Sequence, residues 1–202
     1  GMVPFNVLRK DGGRFHQGPS GRLMVARAPE VEPLVAALSA AGMPAATHPD
    51  MLGVMWGKLL MNLNNAVNAL AGVPIKTMVS ERAYRRIMAA VIREGLLALR
   101  AVPIRPHAPV AVPASLLPWL ISRPDWPFRP IARPMITIDP EARSSMWDDL
   151  VRGRKTEVDL LNGEVVRLAA RVGTAAPINA AIVELVHAAH GHGSPCLSAA
   201  EL

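Results

Sequence analysis

The spacing of apolar residues along the chain predicts a protein built mainly of α-helices. Apolar side chains recur at the interval that places them on one face of a helix. This pattern covers residues 30–41, 52–71, 79–101, 144–150, 156–172 and 177–189. Gly42, Gly72 and Gly173 follow three of these segments, at the position where glycine commonly ends a helix.

The chain begins with a different pattern, that of short β-strands. Residues 2–8, 14–18 and 22–27 are short runs separated by turns rich in glycine. The second and third runs could pair with the first, and residues 44–48 form a short link or an edge strand. Such a patch is too small to bury one face of a sheet by itself. The pattern therefore predicts the last strands of a larger sheet.

The segment from Pro103 to Pro140 contains ten prolines. Proline lacks the backbone N–H and clashes with the preceding turn, so a continuous helix is excluded there. The segment also carries leucine, tryptophan and phenylalanine side chains that favour burial. Two interpretations stay open: a stiff connection packed over the core with one short helix near residues 114–122, or a lid over a site. Asp139-Pro140 predicts the start of the helix through residues 144–150.

The composition agrees with a helical protein. Half of the residues are hydrophobic and only 4% are aromatic, which favours tightly packed helices over a β-sandwich and excludes disorder of the whole chain. No uninterrupted apolar run reaches the roughly 18 residues of a membrane-spanning helix, and the chain begins without a leader pattern. Cys196 is the only cysteine, which excludes an intrachain disulfide. We therefore expect a cytoplasmic protein that does not contact a membrane.

The net charge of +6 at pH 7 is compatible with nucleic acid, a membrane surface or an anionic ligand. The basic residues are spread along the chain and form no long basic run, so we expect no nucleic acid, and either solubility or an anionic substrate explains the charge. The six histidines are scattered, and no metal site is expected. Because the helical surface is apolar, a homodimer is a further expectation.

The helix predicted over residues 52–71 carries one polar stripe. At about 100° per residue, Lys58, Asn62 and Asn65 lie within about 60° of one another on an otherwise apolar helix. A lysine surrounded by tryptophan, leucine and methionine would carry its charge at a high desolvation cost, and it could donate a proton to a developing alkoxide. The two amides could orient a small polar ligand.

The alternative for this stripe is a solvent-facing strip on a half-exposed helix. Against it stands the concentration of asparagine, since four occur from Asn62 to Asn68 and each weakens a helix. Glutamate or lysine would serve solubility better, so we interpret the amides as hydrogen-bonding groups. Asn64 and Asn68 lie on a neighbouring face and could cap or contact another segment.

A second group of polar residues flanks Gly153. On one straight helix, Ser145 and Glu157 would point about 120° apart, but a break at the glycine would let them converge. Ser145 could then donate a hydrogen bond to a substrate carboxylate. Glu157 could accept one from a substrate hydroxyl, or it could pair with Lys58. The alternative is that Thr156 and Glu157 only cap the following helix.

These motifs together resemble the C-terminal domain of ketopantoate reductases, the 2-dehydropantoate 2-reductases related to 6-phosphogluconate-dehydrogenase-like enzymes. The resemblance covers nearly the whole chain. It lies in Trp56-x-Lys58-Leu59-x-x-Asn62, Ser144-Ser145-Met146-x-x-Asp149, Thr156-Glu157-x-Asp159-x-x-Asn162-Gly163, Gly173 and Ala176-Pro177-Ile178-Asn179. It implies a mainly α fold, with a helical substrate-binding and catalytic domain over residues 51–202. Residues 1–50 would be the last strands and helix of a Rossmann domain.

The family resemblance also implies roles for single residues. In this family a Rossmann domain binds NADP and the helical domain completes the site. Lys58 matches the catalytic lysine that protonates the carbonyl oxygen as hydride arrives. Asn62 and Ser145 match substrate-binding residues of the family. Glu157 matches the family's functional glutamate, which is implied to act both at the substrate and at the cofactor. The implied activity is NADP-dependent reduction of a small 2-oxoacid, of the type that converts 2-dehydropantoate to pantoate.

Two features depart from the family's pattern. The family often has a second asparagine where Ala66 stands, and Asn65 is a substitute on the same face. The glycine-rich turn that would hold a pyrophosphate does not occur in these residues, so this chain alone is expected neither to bind NADPH tightly nor to turn over. The alternative function is a non-catalytic helical module that dimerises or binds a small anion.

Overall fold

The computed structural model describes residues 1–5, 7–9, 11–17, 21–107, 112–128 and 141–202. Over these ranges the chain is mainly α-helical, and its short strands all precede the first long helix. The predicted fold class is therefore confirmed. The helix start predicted at Asp139-Pro140 lies outside the described residues.

The strands form two separate pairs. β1 (Val7–Arg9) and β2 (Phe15–Gln17) are antiparallel, while β3 (Leu23–Ala26) and β4 (Ala45–His48) are parallel. The prediction that the second and third runs pair with the first is confirmed, because β2 pairs with β1 and the backbones of Met2 and Met24 exchange hydrogen bonds at 2.7 and 3.0 Å. The crossover through helix α1 (Glu32–Ala40) also brings β4 alongside β3. The edge strand predicted near residues 44–48 is confirmed as β4. None of the described side chains in this part is fully buried, as expected for so small a patch.

The long apolar helix predicted over residues 52–71 is two helices, α2 (Met51–Asn62) and α3 (Asn64–Ala71). The break at Leu63 falls within the asparagine-rich stretch, where helix propensity is low. Asp50 caps the start of α2, its carboxylate accepting from the Gly53 N–H at 2.9 Å. Gly72 ends α3 in the left-handed region, with φ at 66°.

The helix predicted from residue 79 is also divided. A short helix, α4 (Ile75–Ser80), precedes α5 (Arg82–Leu99), and Glu81 between them has an extended backbone. Gly95 in α5 lies against α2, since a β-carbon there would come within 2.6 Å of Leu60 Cδ2. The absence of a side chain at this position therefore permits the close approach of the two helices.

The remaining helices complete the bundle. The short helix predicted near residues 114–122 is confirmed as α6 (Leu117–Ile121). The next described helix is α7 (Ser145–Val151). α8 (Asn162–Arg171) begins later than predicted, because a 3₁₀ turn at Val158–Leu160 precedes it. The prediction that Pro177 opens the last helix is confirmed by α9 (Pro177–Ala189).

A large apolar core joins α2, α3, α5, α7, α8 and α9. Its fully enclosed side chains include Leu60, Leu63, Leu70, Met146, Leu150, Val158, Val165 and Val186. The prediction that the last dozen residues fray is wrong. The Leu197 N–H donates to the Leu70 carbonyl at 2.9 Å, the Ser194 hydroxyl donates to the Ala69 carbonyl at 2.7 Å, and Leu202 packs against the core. These contacts hold the tail on α3.

A buried polar network connects α5 to α8 and α9. The Glu94 carboxylate accepts from the backbone N–H groups of Ile178 and Asn179 at 2.9 Å each, and from the Asn179 side-chain amide at 2.7 Å. Asn162 donates its amide to the Asn179 side-chain oxygen at 3.0 Å. A carboxylate at a helix N-terminus is favourable because it pairs with free N–H groups there. The network therefore fixes where α9 begins.

Arg85 is a second buried charge, with 1% of its side chain exposed. Its guanidinium donates to the carbonyls of Val79, Ser80, Ile121 and Arg123 at 2.9 to 3.0 Å. It also pairs with Asp125 at 2.6 Å and lies over the Phe128 ring. The described proline-rich segment is thus fixed to α5, in agreement with a connection packed over the core.

Candidate functional site

Lys58 lies in the second half of α2 and is only half-buried. Its ammonium group donates to the Val3 carbonyl at 2.5 Å, which ties α2 to the N-terminal segment. The expectation that this lysine is enclosed by apolar side chains is therefore wrong. The neighbouring Trp56 and Leu60 face the core, while the lysine points to the boundary between the helix and the strands. A cation at such a boundary is accessible to a ligand.

Asn62 and Asn65 stand on either side of the helix break. Asn62 is the last residue of α2, one turn after Lys58, and Asn65 lies in the first turn of α3. Both side chains are half-buried, and no protein partner of either amide is recorded among the described residues. Their amides are therefore available to a polar ligand near the lysine.

Asn68 and Ser144 join the helix that carries Asn65 to the helix that carries Ser145. The Ser144 N–H donates to the Asn68 side-chain oxygen at 2.8 Å, and the Ser144 hydroxyl donates to the Asn65 carbonyl at 3.0 Å. Asn68 also donates to the Val73 carbonyl at 2.8 Å. Ser144 caps α7 by accepting from the Trp147 N–H. Ser145, exposed in the first turn of α7, is thereby held beside the first turn of α3.

Replacing Asn68 by leucine is expected to lower the free energy of unfolding by about 2 kcal/mol, because the Ser144 N–H and the Val73 carbonyl would lose their buried partner. Urea unfolding of the two proteins measures the difference. Asn64→Leu is the matched control, since Asn64 is half-exposed and its replacement is expected to change stability by less than about 0.5 kcal/mol. Equal stability of the two variants would contradict the role of Asn68.

Glu157 lies just before the Val158–Leu160 turn and its side chain is exposed. Its carbonyl accepts from the Leu160 and Leu161 N–H groups, so it starts the turn through its backbone, and its side chain makes no cap. The interpretation as a side-chain cap is therefore wrong. Among the described interactions, its carboxylate contacts neither Lys58 nor Ser145, and their convergence stays a prediction.

Two ion pairs link the last turns of α7 to the residues that follow it. Arg152 pairs with Asp148 at 3.4 Å, and Arg154 pairs with Asp149 at 2.8 Å. Gly153 between them has φ at 64°, a conformation that favours glycine. The break expected at this glycine is confirmed, and it separates α7 from the segment that carries Glu157.

The part of the chain that the structure describes contains neither a metal-binding cluster nor a membrane-spanning helix. No group of histidine, cysteine and carboxylate side chains there could hold a metal ion. No helix in the same ranges is long and apolar enough to cross a membrane. The polar groups of α2, α3 and α7 are therefore the candidate site.

Comparison with known proteins identifies a family that matches most of this chain. A family model described as "Ketopantoate reductase PanE/ApbA C terminal" matches residues 50–190. The 2-dehydropantoate 2-reductase of Caulobacter vibrioides is 30% identical over 188 residues, which cover 93% of this chain and 59% of that protein. The chain therefore spans less than two thirds of the length of this relative.

Solved structures share the fold. A PanE/ApbA-family ketopantoate reductase from Ralstonia eutropha JMP134 matches with a TM-score of 0.72 at 26% identity, covering 93% of this chain and 58% of that one. A D-mandelate dehydrogenase solved with NADH matches with a TM-score of 0.74 at 19% identity, covering 94% and 61%. The fold of this chain is thus shared with part of each of these two proteins. The chain belongs to the ketopantoate reductase family, and the match covers the part that the family model calls its C-terminal region.

Proposed function

We propose that this chain supplies the substrate-binding and catalytic half of an NADP-dependent reductase that acts on a 2-oxoacid of the 2-dehydropantoate type. The observation that supports it most is that Lys58, Asn62 and Asn65 follow one another along α2 and into α3, while Ser144 fixes the start of α7, with Ser145, to Asn65. In this proposal residues 1–50 belong to the nucleotide-binding domain and residues 51–202 form the helical domain.

Lys58 is the proposed general acid. Reduction of a carbonyl leaves negative charge on its oxygen, and a neighbouring ammonium group can donate a proton there and recover one from water. The half-exposed position of Lys58 suits this exchange with solvent. Its hydrogen bond to the Val3 carbonyl holds the ammonium group in place until a substrate oxygen takes over as acceptor.

The remaining polar groups orient the substrate. Asn62 and Asn65 each offer a donor and an acceptor to its oxygens, and Ser145 donates to its carboxylate. Because Ser144 and Asn68 fix α7 to α3, the positions of Ser145 and Asn65 are set before a ligand arrives. Glu157 is proposed to accept a hydrogen bond from the substrate hydroxyl or from the nicotinamide side of the cofactor.

The cofactor supplies the hydride in this proposal. The residues of this chain include no G-x-G-x-x-G turn, so they do not form the cradle that such a turn gives to a pyrophosphate. Apart from Glu157, the candidate-site residues act only on the substrate, which they bind and to whose oxygen they supply a proton. NADP is the proposed cofactor on family grounds, while the D-mandelate dehydrogenase of the same fold was solved with NADH.

Thermal unfolding with added ligands tests the proposal. We expect 2-dehydropantoate to stabilise this chain saturably, by about 2.7 kcal/mol at a concentration 100 times its Kd, and NADPH alone to have little effect. Lys58→Ala should abolish the stabilisation. Lys76→Ala is the matched control, because Lys76 is exposed on α4 and remote in sequence from the site.

The outcomes separate the proposal from its rival. Stabilisation by 2-dehydropantoate that depends on Lys58 supports a substrate-binding half. No response to substrate, or an equal response in both lysine variants, would favour a non-catalytic helical module that dimerises or binds a small anion. Sedimentation of the chain measures the homodimer, which stays a prediction.

A further inference from the structure

A large cleft lies away from the candidate site, between the second half of α5 and the described parts of the proline-rich segment. Its volume is about 1060 Å³, just above the range of roughly 300 to 1,000 Å³ that is usual for small-molecule sites. Leucine, isoleucine and proline side chains form much of its wall. A small 2-oxoacid would fill only a minor part of this volume.

The polar lining of the cleft is positively charged. Arg93, Arg100, Arg105 and Arg123 all line it, and no carboxylate is among the described residues that do so. The first three side chains are exposed, and no ion pair of any of the four is recorded in the described ranges. Four guanidinium groups around one concave, partly apolar surface concentrate anions there. Because guanidinium groups bind phosphate through two parallel hydrogen bonds, phosphate is the anion that suits them best.

One wall of the cleft is aromatic. Trp119 is 56% exposed, and the Arg123 guanidinium lies over its ring with the central carbon 4.1 Å from the ring centroid. Arg123 also donates to the Trp119 carbonyl at 3.3 Å, which fixes the arginine on the ring. An exposed indole next to cations suits a ligand that carries a planar ring as well as negative charge.

The cleft shares no described lining residue with the candidate site. The segment at one edge of the cleft packs on Gly53, where the His107 N–H donates to the Gly53 carbonyl at 3.0 Å. A β-carbon on Gly53 would overlap the Arg105 carbonyl and the His107 ring. Lys58 is five positions further along the same helix, about 140° around its axis. A ligand in the cleft therefore does not compete with Lys58 for the same space.

Asp50 is an acidic residue at this edge of the cleft, where it contacts the lining residue His107, and its charge is already engaged. Its carboxylate accepts from the Gly53 N–H at 2.9 Å and lies 2.9 Å from His107 Nε2. These two hydrogen bonds hold the pKa of Asp50 below its usual value, and the one from the Gly53 N–H has the larger effect. Asp50 thus stays ionised as a helix cap and leaves the arginines free for another anion.

We propose that this cleft binds a small molecule of the nucleotide class, with a di- or triphosphate group held by Arg93, Arg100 and Arg105 and a planar ring stacked on Trp119. The site is separate from the proposed reaction and does not depend on it. It would give the chain a second ligand beside its substrate.

Calorimetric titration of the chain with ATP, without added metal and at about 0.15 M salt, tests the proposal. We expect one saturable site. The double variant Arg100→Gln/Arg105→Gln should weaken binding at least tenfold, about 1.4 kcal/mol. The matched control Arg152→Gln/Arg171→Gln removes the same charge from exposed positions outside the cleft and should leave the affinity within about twofold of the starting value.

Inorganic triphosphate separates the contribution of the phosphate groups from that of the planar ring. We expect triphosphate to bind more weakly than ATP, and Trp119→Ala to remove that difference. The proposal is overturned if ATP does not saturate, if both double variants weaken it equally, or if triphosphate binds as tightly as ATP. Tighter binding of an oligothymidylate than of ATP would indicate a nucleic-acid surface and would likewise overturn it.

Discussion

Turnover of 2-dehydropantoate is expected to fall by about 100-fold or more when Lys58 is replaced by alanine in a reductase that contains this chain. The physical reason is the loss of the group that neutralises the developing alkoxide, since no other lysine or arginine shares its polar stripe on α2. Steady-state oxidation of NADPH measures the effect. Because the interaction is strongest in the transition state, kcat and kcat/KM should fall together.

Lys76→Ala is again the control for this measurement, and its turnover should stay within about twofold of the unmodified enzyme. A circular dichroism spectrum and an unfolding curve of Lys58→Ala establish that the fold is retained. Retention of a third or more of the turnover by a folded Lys58→Ala enzyme would disprove the role of general acid. A rise in KM alone would assign Lys58 to substrate binding and not to proton transfer.

The largest effect on stability is expected for Arg85→Met, which should lower the free energy of unfolding by about 3 kcal/mol. Methionine preserves much of the apolar stem but leaves the carbonyls of Val79, Ile121 and Arg123 without their donor. Asp125 contributes less to the loss, because its side chain is 46% exposed and remains hydrated. Urea unfolding with a common m-value measures the change.

Arg82→Met is the matched control for Arg85. Arg82 lies one turn earlier on α5, is exposed, and donates a single hydrogen bond to the Ser122 carbonyl. Its replacement is expected to cost less than about 1 kcal/mol. If both variants lost the same stability, the difference in burial between the two arginines would not govern their contribution.

The helices could be predicted wherever the apolar pattern and a helix-ending residue coincide. Gly72 ends α3 as its sequence position indicates, and Pro177 opens α9. The break at Leu63 could not be predicted, because that leucine is apolar, fully buried and in phase with both helices. The start of α8 was predicted too early, because Thr156 and Glu157 are residue types that often cap a helix. A 3₁₀ turn follows them, and α8 begins only at Asn162.

The candidate site could be predicted in part. Lys58, Asn62 and Asn65 follow from helical spacing, and Ser145 is held next to Asn65 by the contacts of Ser144. The enclosure of the lysine could not be judged from its neighbours in sequence, because the depth of a side chain depends on which face of the helix meets the core. The position of Glu157 relative to Lys58 depends on the conformation of the loop around Gly153. The spacing of residues in the sequence does not predict that conformation.

The buried charges Arg85 and Glu94 were missed altogether. A pattern of polar and apolar positions assigns such residues to the solvent, and their partners are backbone groups from segments distant in sequence. Asn162 and Asn179 both belong to the sequence motifs that resemble the family. Their side chains take part in the buried network around the Glu94 carboxylate and not in the candidate site. A recurring motif residue is therefore not by itself a ligand-binding residue.

The packed C-terminal tail has a practical consequence for the design of protein samples. Deleting residues from Ser194 onward would uncover the end of α3 and the apolar surface beneath Leu197, so a shortened chain would be prone to precipitate for reasons unrelated to its ligand sites. Because Leu202 also packs on that surface, an affinity tag fused there should follow a flexible spacer. With such a spacer, a change in solubility would be caused by the tag itself and not by displacement of these last residues from α3.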